Sequence, residues 1–245
     1  GRVVVLTGGA GLLGSRYVHA LSLAGARVVV ADIDGDAAER VAASAPGAEA
    51  LAVQVDVSDP AAVQRMAAQA AETFGRVDAL VNNAAQDPKF DAVHAGEHTH
   101  DIERFPIDLW NRSLAVNLTG AFLCARALAP LILDGGGGCI VNIASIYGMV
   151  GPDQRLYDAG DGTPPRFKPP DYSVAKSGLL GFTRYLAAYY AGRPLRVNAL
   201  VLGGVEHGHD EGFLRRYGER TPMRRMARPD EYCGALRFLL SNAAS

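Results

Sequence analysis

The sequence predicts a single α/β domain, in which a doubly wound parallel sheet carries helices on both faces. Short apolar runs alternate along the chain with helical stretches, which is the pattern of parallel β-α-β units. The chain has 245 residues, of which 49% are hydrophobic, and this is enough to bury one large core. We therefore expect one domain spanning residues 1–245.

The first unit of the chain is a strand, a glycine turn and a helix. Residues 2–6 form a β-branched run, and a helical pattern extends to Ala24. Between them, Gly9, Gly11 and Gly14 match the spacing G-x-G-x-x-G. Such glycines allow a tight turn and close approach of a pyrophosphate, and the helix N-terminus offers N–H groups to the phosphates. The pattern predicts a Rossmann-type dinucleotide-binding turn formed by Thr7, Gly8, Gly9, Gly11, Leu12, Leu13 and Gly14.

Further apolar runs predict the rest of the sheet. The second strand, residues 27–31, ends at Asp32, where a carboxylate can accept hydrogen bonds from an adenosine ribose and repel a 2′-phosphate. Later strands are predicted at residues 50–55, 77–81, 139–144 and 195–201, and long helices at about residues 108–133 and 172–191. The acidic side chains that follow Asp32, at Asp34 and Asp36, are interpreted as ordinary turn carboxylates.

Tyr172 and Lys176 lie one turn apart on one face of a predicted helix. A tyrosine hydroxyl ionises near pH ~10, and a neighbouring ammonium lowers this pKa towards the range useful for acid–base catalysis. Ser145 follows an apolar strand, at the carboxyl edge where open α/β sheets bind ligands. Alone, the Tyr–Lys spacing is equally typical of an amphipathic helix with a surface lysine, so its meaning depends on the other motifs.

Taken together, these motifs resemble the short-chain dehydrogenase/reductase family over residues 3–240. The matching motifs stand in the family's order: the glycine turn, Asp56-Val57, Asn82-Asn83-Ala84, Asn117, and Ser145 with Tyr172 and Lys176. The resemblance implies an enzyme that uses a nicotinamide cofactor, here NAD, to interconvert a secondary alcohol and a ketone by hydride transfer. It also implies a small-molecule substrate, and the cations of the long loop described below predict that this substrate is polar, either sugar- or polyol-like or phosphorylated.

The resemblance also implies a role for each matching residue. Tyr172 would be the general acid/base, Ser145 would bind the substrate oxygen, and Asn117 would hold a proton-relay water. Lys176 would bind the nicotinamide ribose and lower the tyrosine pKa. Asp32 would select NAD over NADP, since Ile33 offers no cation to a 2′-phosphate. The remaining cofactor contacts would come from Asp56, Val57, Asn82, Asn83, Ala84, Gly203 and Val205.

Two departures from the family pattern leave alternatives open. Gly11 has the spacing of the nucleotide-sugar-modifying branch, whereas the compact branch has this glycine at the position of Leu12. A nucleotide-sugar epimerase or dehydratase is one alternative, although the chain is short for that branch, and a non-catalytic NAD-binding scaffold is another. After the last strand, Leu202 and His207 replace the family's proline and threonine, so we expect a less rigid turn there.

The connection from Ser145 to Tyr172 is about twice the family's usual length. Its glycines and prolines predict an ordered loop without an added helix. The loop carries Arg155, Arg166 and Lys168, which predict a substrate-recognition flap; the alternative is a solvated loop that covers the sheet edge or a neighbouring subunit. The arginine-rich residues 210–228 occupy the place of the family's mobile substrate lid.

Composition argues against several other functions. The net charge of −2 gives no reason to expect a nucleic acid or membrane partner, and the apolar helix at residues 122–133 is interrupted and too short to span a bilayer. A polar segment contains His94, Glu97, His98 and His100 without a recognised metal-ligand spacing, so we expect no metal. Three cysteines, Cys124, Cys139 and Cys233, are expected to be buried free thiols of a cytoplasmic protein.

Two further expectations concern the surface. The helix at residues 108–133 is apolar on more than one face, and together with the helix of Tyr172 it is expected to form a homodimer or homotetramer. The family normally adds a strand after residue 245, so the sheet is expected to be one strand short. Nothing at the start of the chain resembles a signal peptide.

Overall fold

The computed structural model describes residues 1–47, 49–86, 101–158 and 167–245. Within these residues, six parallel strands form one sheet in the order β3-β2-β1-β4-β5-β6. The strands are β1 (Val3–Thr7), β2 (Arg27–Asp32), β3 (Ala50–Gln54), β4 (Ala79–Asn82), β5 (Gly138–Ser145) and β6 (Leu195–Leu202). The strand order reverses between β1 and β4, which is the point where doubly wound sheets open a crevice for ligands. The predicted fold class is confirmed.

Helices cover both faces of this sheet. The helices are α1 (Leu12–Leu23), α2 (Gly35–Ala43), α3 (Pro60–Phe74), α4 (Ile107–Leu114), α5 (Gly120–Asp134), α6 (Pro170–Tyr189), α7 (Glu211–Glu219) and α8 (Cys233–Leu240). Of these, α7 packs against residues 154–156 in a small core of its own. Local sequence sets their ends: α3 begins with the Asp59 carboxylate capping Ala61 N–H and with proline at the first turn, and it ends at Gly75 with φ 73°.

Side chains from β1 show how both faces of the sheet are buried. Val3 and Val5 point into a core shared with α3 and α5, whereas Val4 and Leu6 point into a core shared with α1 and α8. Strands buried on both faces read as continuous apolar runs, which is why they were predictable from sequence. The two cores lie on the faces of the sheet, and the cavity described below opens at the carboxyl ends of the strands.

The long predicted helix forms, but with a local change of geometry. A π-helical turn, Ala115–Thr119, joins α4 to α5. Such turns widen a helix by one residue and are frequent at functional sites. The continuous helix Ile107–Asp134 has 28 residues and is long and apolar enough to cross a membrane, so the expectation that it is too short is wrong. However, 56% of its most apolar window is buried inside the protein, as in a core helix.

The cysteines differ in their exposure. Cys124 and Cys139 are buried, and burial raises the pKa of the Cys124 thiol to about 12. Cys233 is only partly buried, contrary to expectation, because it lies at the start of α8 beside the main chain of Arg16. All three thiols are free.

Candidate active site

A cavity of about 1490 Å³ opens along the carboxyl edge of the sheet. Its wall runs from the glycine turn, past the ends of β2, β4 and β5, to the turn after β6 and to α7. This volume exceeds that of ordinary drug-sized sites, so the cavity has room for a dinucleotide and a small substrate together.

The glycine turn has the shape that a pyrophosphate requires. Gly8 has φ 64°, and a Cβ on Gly14 would lie 2.0 Å from the Gly8 carbonyl oxygen, so neither position tolerates a side chain. Gly11 faces the cavity, where a side chain would occupy the space beside the turn. Among the described residues, no side chain caps the start of α1. The first N–H groups of this helix therefore point to the cavity without helical partners, which fits the binding of phosphate.

Thr7 and Asn83 support the turn from behind. The Thr7 hydroxyl accepts hydrogen bonds from the Asn83 and Ala84 N–H groups, each at 3.1 Å. The Asn83 side chain donates to the carbonyl oxygens of Thr7 and Gly8 at 3.1 and 2.9 Å. Asn83 and Ala84 also line the cavity, whereas Thr7 and Gly9 do not. Thr7 and Gly9 therefore support the conformation of the turn from behind and do not contribute to the cavity wall.

Acidic side chains lie at the end of the cavity beside β2. The Asp32 carboxylate accepts hydrogen bonds from Ala10 N–H at 2.9 Å and Asp34 N–H at 3.2 Å, which hold it beside the glycine turn. Ile33, next to it on the cavity wall, is 64% exposed. Asp56 accepts two hydrogen bonds from Ser58, at 2.8 and 2.6 Å. Val57, like Leu12 and Leu13 of the turn, contributes apolar wall.

Ser145, Tyr172 and Lys176 line the same cavity near the ends of β5 and β6. Lys176 is only 3% exposed, and its ammonium donates to the Ile143 carbonyl oxygen at 2.8 Å. This ammonium lies 5.7 Å from the centre of the Tyr172 ring, as the helical spacing predicted. Ser145 is nearly buried, and its hydroxyl accepts from Tyr147 N–H at 3.2 Å.

Asn117 lies in the π-helical turn but outside the cavity wall. Its side-chain oxygen accepts from Gln86 N–H at 2.6 Å, and its amide donates to the Gln86 carbonyl at 2.8 Å and to the Ser113 hydroxyl at 3.2 Å. The side chain is 2% exposed. These bonds engage both ends of the side-chain amide and link the chain after β4 to the helix. Any contact with a relay water therefore has to come from the main chain of Asn117.

Asn82 also lies behind the cavity wall, in a buried polar chain that sequence analysis missed. Its amide donates to the Asn142 side chain at 2.8 Å, and Asn142 donates to the Thr183 hydroxyl at 2.8 Å. The Thr183 hydroxyl in turn donates to the Leu179 carbonyl at 2.8 Å. These bonds fix β4, β5 and α6 together and so set where α6 presents Tyr172. The sequence signal for this polar chain was Asn142, a polar residue inside the apolar run of β5.

Residues 151–158 of the long connection form one unit with α7 of the lid, and we call this unit the flap. The Asp153 carboxylate accepts from Arg155 at 2.8 Å and from Arg220, just beyond α7, at 2.9 Å. The hydrogen bond from Arg155, and to a lesser extent the one from Arg220, holds the pKa of the Asp153 carboxyl well below its usual range. Arg216 donates to the Leu156 carbonyl oxygen at 3.1 Å. A separate small core beneath these bonds contains Leu156, Tyr217 and Met226.

The cations expected to contact substrate have different environments. The Arg155 side chain is 80% exposed and paired with Asp153, and it does not line the cavity, so its predicted substrate contact is not supported. Lys168 does line the cavity, with its ammonium 4.3 Å from the centre of the Tyr172 ring. Arg166 lies outside the described residues, as does the segment containing His94, Glu97, His98 and His100. Among the described residues, no group of three or more His, Cys, Asp or Glu could hold a metal ion.

The turn after β6 is held by hydroxyl groups where the family has proline. Gly203 N–H donates to the Tyr232 hydroxyl at 3.1 Å, and Gly204 N–H donates to the Tyr217 hydroxyl at 2.6 Å. Gly203 and Val205 line the cavity, as does His207. The turn is thus restrained in spite of Leu202, by side chains far along the chain.

A parallel sheet with this cavity defines an α/β protein that binds a dinucleotide at the carboxyl edge of its strands. A family model described as enoyl-(acyl carrier protein) reductase matches residues 11–245. The chain is 33% identical over 248 residues to meso-2,3-butanediol dehydrogenase of Serratia marcescens, covering 100% of this chain and 89% of that protein. It is 33% identical over 255 residues to D-threitol dehydrogenase of Mycolicibacterium smegmatis, covering 100% and 88%.

Solved structures agree with these relatives. The fold matches the crystal structure of a short-chain type dehydrogenase/reductase from Mycobacterium marinum with a TM-score of 0.83 and 27% identity, over 100% of this chain and 90% of that one. The protein belongs to the short-chain dehydrogenase/reductase family. Its cavity is accordingly the place of a nicotinamide dinucleotide, and the open glycine turn with the uncapped start of α1 fits that group.

Proposed function

We propose that this protein is an NAD-dependent dehydrogenase that interconverts a secondary alcohol and a ketone on a small, polyol-like substrate. The observation that carries the proposal is the meeting of Ser145, Tyr172 and Lys176 in one cavity with the glycine turn. The similarity to butanediol and threitol dehydrogenases supports an alcohol with neighbouring hydroxyl groups as substrate. These relatives also favour hydride transfer over the epimerase and scaffold alternatives.

In the proposed mechanism, Ser145 donates a hydrogen bond to the substrate oxygen and fixes it beside the Tyr172 hydroxyl. Tyr172 takes the hydroxyl proton during oxidation and returns it during reduction. Lys176 favours the ionised tyrosine, because its ammonium is held near the ring by the Ile143 carbonyl. Bound NAD supplies the hydride acceptor. Asn117 keeps the helix behind the site in register through its bonds to Gln86.

Asp32 supports NAD rather than NADP as the cofactor. Its carboxylate faces the cavity beside the glycine turn, where it suits the ribose hydroxyl groups of NAD and repels a 2′-phosphate. Ile33 provides no compensating cation. The adenosine end is completed by Asp56, Val57, Asn83 and Ala84, and the nicotinamide end by Gly203 and Val205.

The decisive experiment is a substrate screen of the purified protein. Diols, alditols and hydroxy acids are supplied with NAD or NADP, and the absorbance of the reduced nicotinamide is followed, with Tyr172→Phe as the inactive control. We expect oxidation of a vicinal diol or polyol with NAD by the wild type alone. Absence of turnover with every substrate and both cofactors, in protein shown to bind NADH, would refute the assignment as a dehydrogenase.

We further propose a cytoplasmic homodimer or homotetramer. Large apolar side chains of α4, α5 and α6 are exposed in the single chain, notably Ile107 at 71%, Phe122 at 45% and Val174 at 45%. Contact with a second copy of the chain would remove these apolar side chains from water, which supports self-association. The free thiols support a reducing compartment.

A further inference from the structure

We propose that Lys168 recognises a carboxylate on the substrate, so that this enzyme acts on acidic polyols, of the aldonic acid class, in preference to neutral ones. This inference rests on the proposed function and narrows its substrate class. It follows from where the long connection places one ammonium group relative to the reacting tyrosine.

The main chain of Lys168 is fixed to the opposite end of the connection. Its N–H donates to the Gln154 side-chain oxygen at 2.8 Å, and the Gln154 amide lies 3.5 Å from the Lys168 carbonyl oxygen. Gln154 belongs to the flap, next to the Asp153 carboxylate that binds Arg220. Lys168 is thereby held against the flap, and its side chain extends into the cavity from a fixed main chain.

The ammonium of Lys168 lies over the face of the Tyr172 ring, 4.3 Å from its centre. A cation in this position is attracted by the ring and so remains close to it. Lys168 is half-buried and lines the cavity together with Tyr172. An anion in contact with this ammonium therefore sits within a few carbon atoms of the carbinol that meets the Tyr172 hydroxyl.

The charged side chains along the cavity also favour an anion near Lys168. The carboxylates of Asp32, Asp34 and Asp56 lie at the adenosine end. At the flap end the wall includes Lys168 and Arg216, whereas the carboxylate there, Asp210, caps α7 by accepting from Phe213 N–H at 2.8 Å. A negatively charged substrate is thus drawn to the flap end and repelled from the cofactor's adenosine site.

The surroundings of Lys168 favour a carboxylate over a phosphate. Phosphate sites usually use free N–H groups at a helix N-terminus. Here α6 begins with Pro169 and Pro170, neither of which has an N–H, and Asp171 places a buried carboxylate in the first turn. Without such a cradle of N–H groups, the Lys168 ammonium suits a singly charged group better than a phosphate.

The test compares Lys168→Met, which keeps the apolar stem, with Arg193→Met. Arg193 makes a similar cation–π contact with Tyr190, at 5.4 Å, but lies outside the cavity wall. Values of kcat/KM are measured with four- to six-carbon aldonates and the matching alditols. We expect the wild type to prefer the aldonate, and Lys168→Met to lower its kcat/KM by roughly ten- to a hundredfold through KM, as one charge-assisted hydrogen bond implies. In Lys168→Met the aldonate should lose far more kcat/KM than the alditol, the Arg193→Met enzyme should behave as the wild type, and Lys168→Arg should recover most of the preference.

A binding measurement separates this inference from the proposed function. NADH-loaded protein cannot oxidise the aldonate, so calorimetric titration reports affinity without turnover. Equal aldonate affinity in wild type and Lys168→Met would overturn the inference even if alditols are oxidised. If Lys168→Met lost kcat/KM equally with the aldonate and the alditol, and its pH profile shifted, the role of Lys168 would be to set the pKa of Tyr172 instead. Preference for a sugar phosphate over the aldonate would also overturn it, whereas inactivity towards every substrate would refute the proposed function itself.

Discussion

Replacing Leu156 by alanine should release the flap without unfolding the protein. Leu156 is 4% exposed, but its buried neighbours, Tyr217 and Met226, belong to a small core separate from the two that cover the sheet. Deleting a buried leucine side chain costs roughly 2–5 kcal/mol. At this position the cost should be confined to docking of the flap, since the sheet and its helices retain all their contacts.

The magnitude follows from the docking equilibrium. At the lower end of this range, a loss of about 2–3 kcal/mol lowers the docked population by roughly 30- to 150-fold at most, since each 1.36 kcal/mol is a factor of ten. We expect the substrate KM to rise by up to this factor, while Tm remains close to wild type. NADH affinity should fall much less, because Tyr232 still holds the turn after β6 at Gly203. Arg155, which is 80% exposed, supplies a tryptic site within the flap, and cleavage there should accelerate in the variant.

The matched control is Leu236→Ala. Leu236 is fully buried in the core between the sheet, α1 and α8. The same substitution there should lower Tm by roughly 4–20 °C, at about 2–4 °C per kcal/mol for a chain of this size, and leave cleavage at Arg155 unchanged at temperatures where the variant is folded. If Leu156→Ala lowered Tm as much as Leu236→Ala did and left KM and cleavage unchanged, the flap would be part of the main cooperative core and the reasoning would fail.

The remaining predictions concern chemistry, cofactor and assembly. Tyr172→Phe should reduce turnover by at least ~10²-fold with NADH binding retained, because the ring stays and the transferable proton is lost; near-normal turnover would contradict the mechanism. Lys176→Ala should weaken both turnover and cofactor binding, as measured by initial rates and calorimetry. Asp32→Ala with Ile33→Arg should shift cofactor affinity from NAD towards NADP, and tighter NADP binding by the wild type would exclude the role given to Asp32. Light scattering at micromolar concentration should show a dimer or tetramer, whereas a monomer would refute the assembly.

The sheet and the glycine turn were predictable because their signals are local. Val3, Val4 and Val5 form a β-branched apolar run, and in the turn that follows glycine is required at Gly8 by its positive φ and at Gly14 by close packing. The spacing of Tyr172 and Lys176 likewise needs only the period of a helix. These parts of the site follow from residues that are close together in the chain.

The parts that were missed depend on distant partners. Asp153 meets Arg220 across 67 positions, and Asn142 meets Thr183 across 41. No periodicity or composition indicates which distant arginine a loop carboxylate will bind. Arg155 was misjudged for a local reason: its charge suggested a substrate contact, but the carboxylate of Asp153, two residues before it, binds it instead.

Tyr217 shows how these distant contacts join the two halves of the site. Its ring packs in the small core with Leu156, and its hydroxyl accepts the Gly204 N–H at the nicotinamide end of the cavity. In the family pattern the turn after the last strand is stiffened locally by proline, but here Tyr217 of the lid helix and Tyr232 share that function. We therefore expect release of the flap to loosen the turn at Gly204, whereas Tyr232 continues to hold Gly203. Tyr217 thus links the small core of the flap to a turn that lines the same cavity as Ser145, Tyr172 and Lys176.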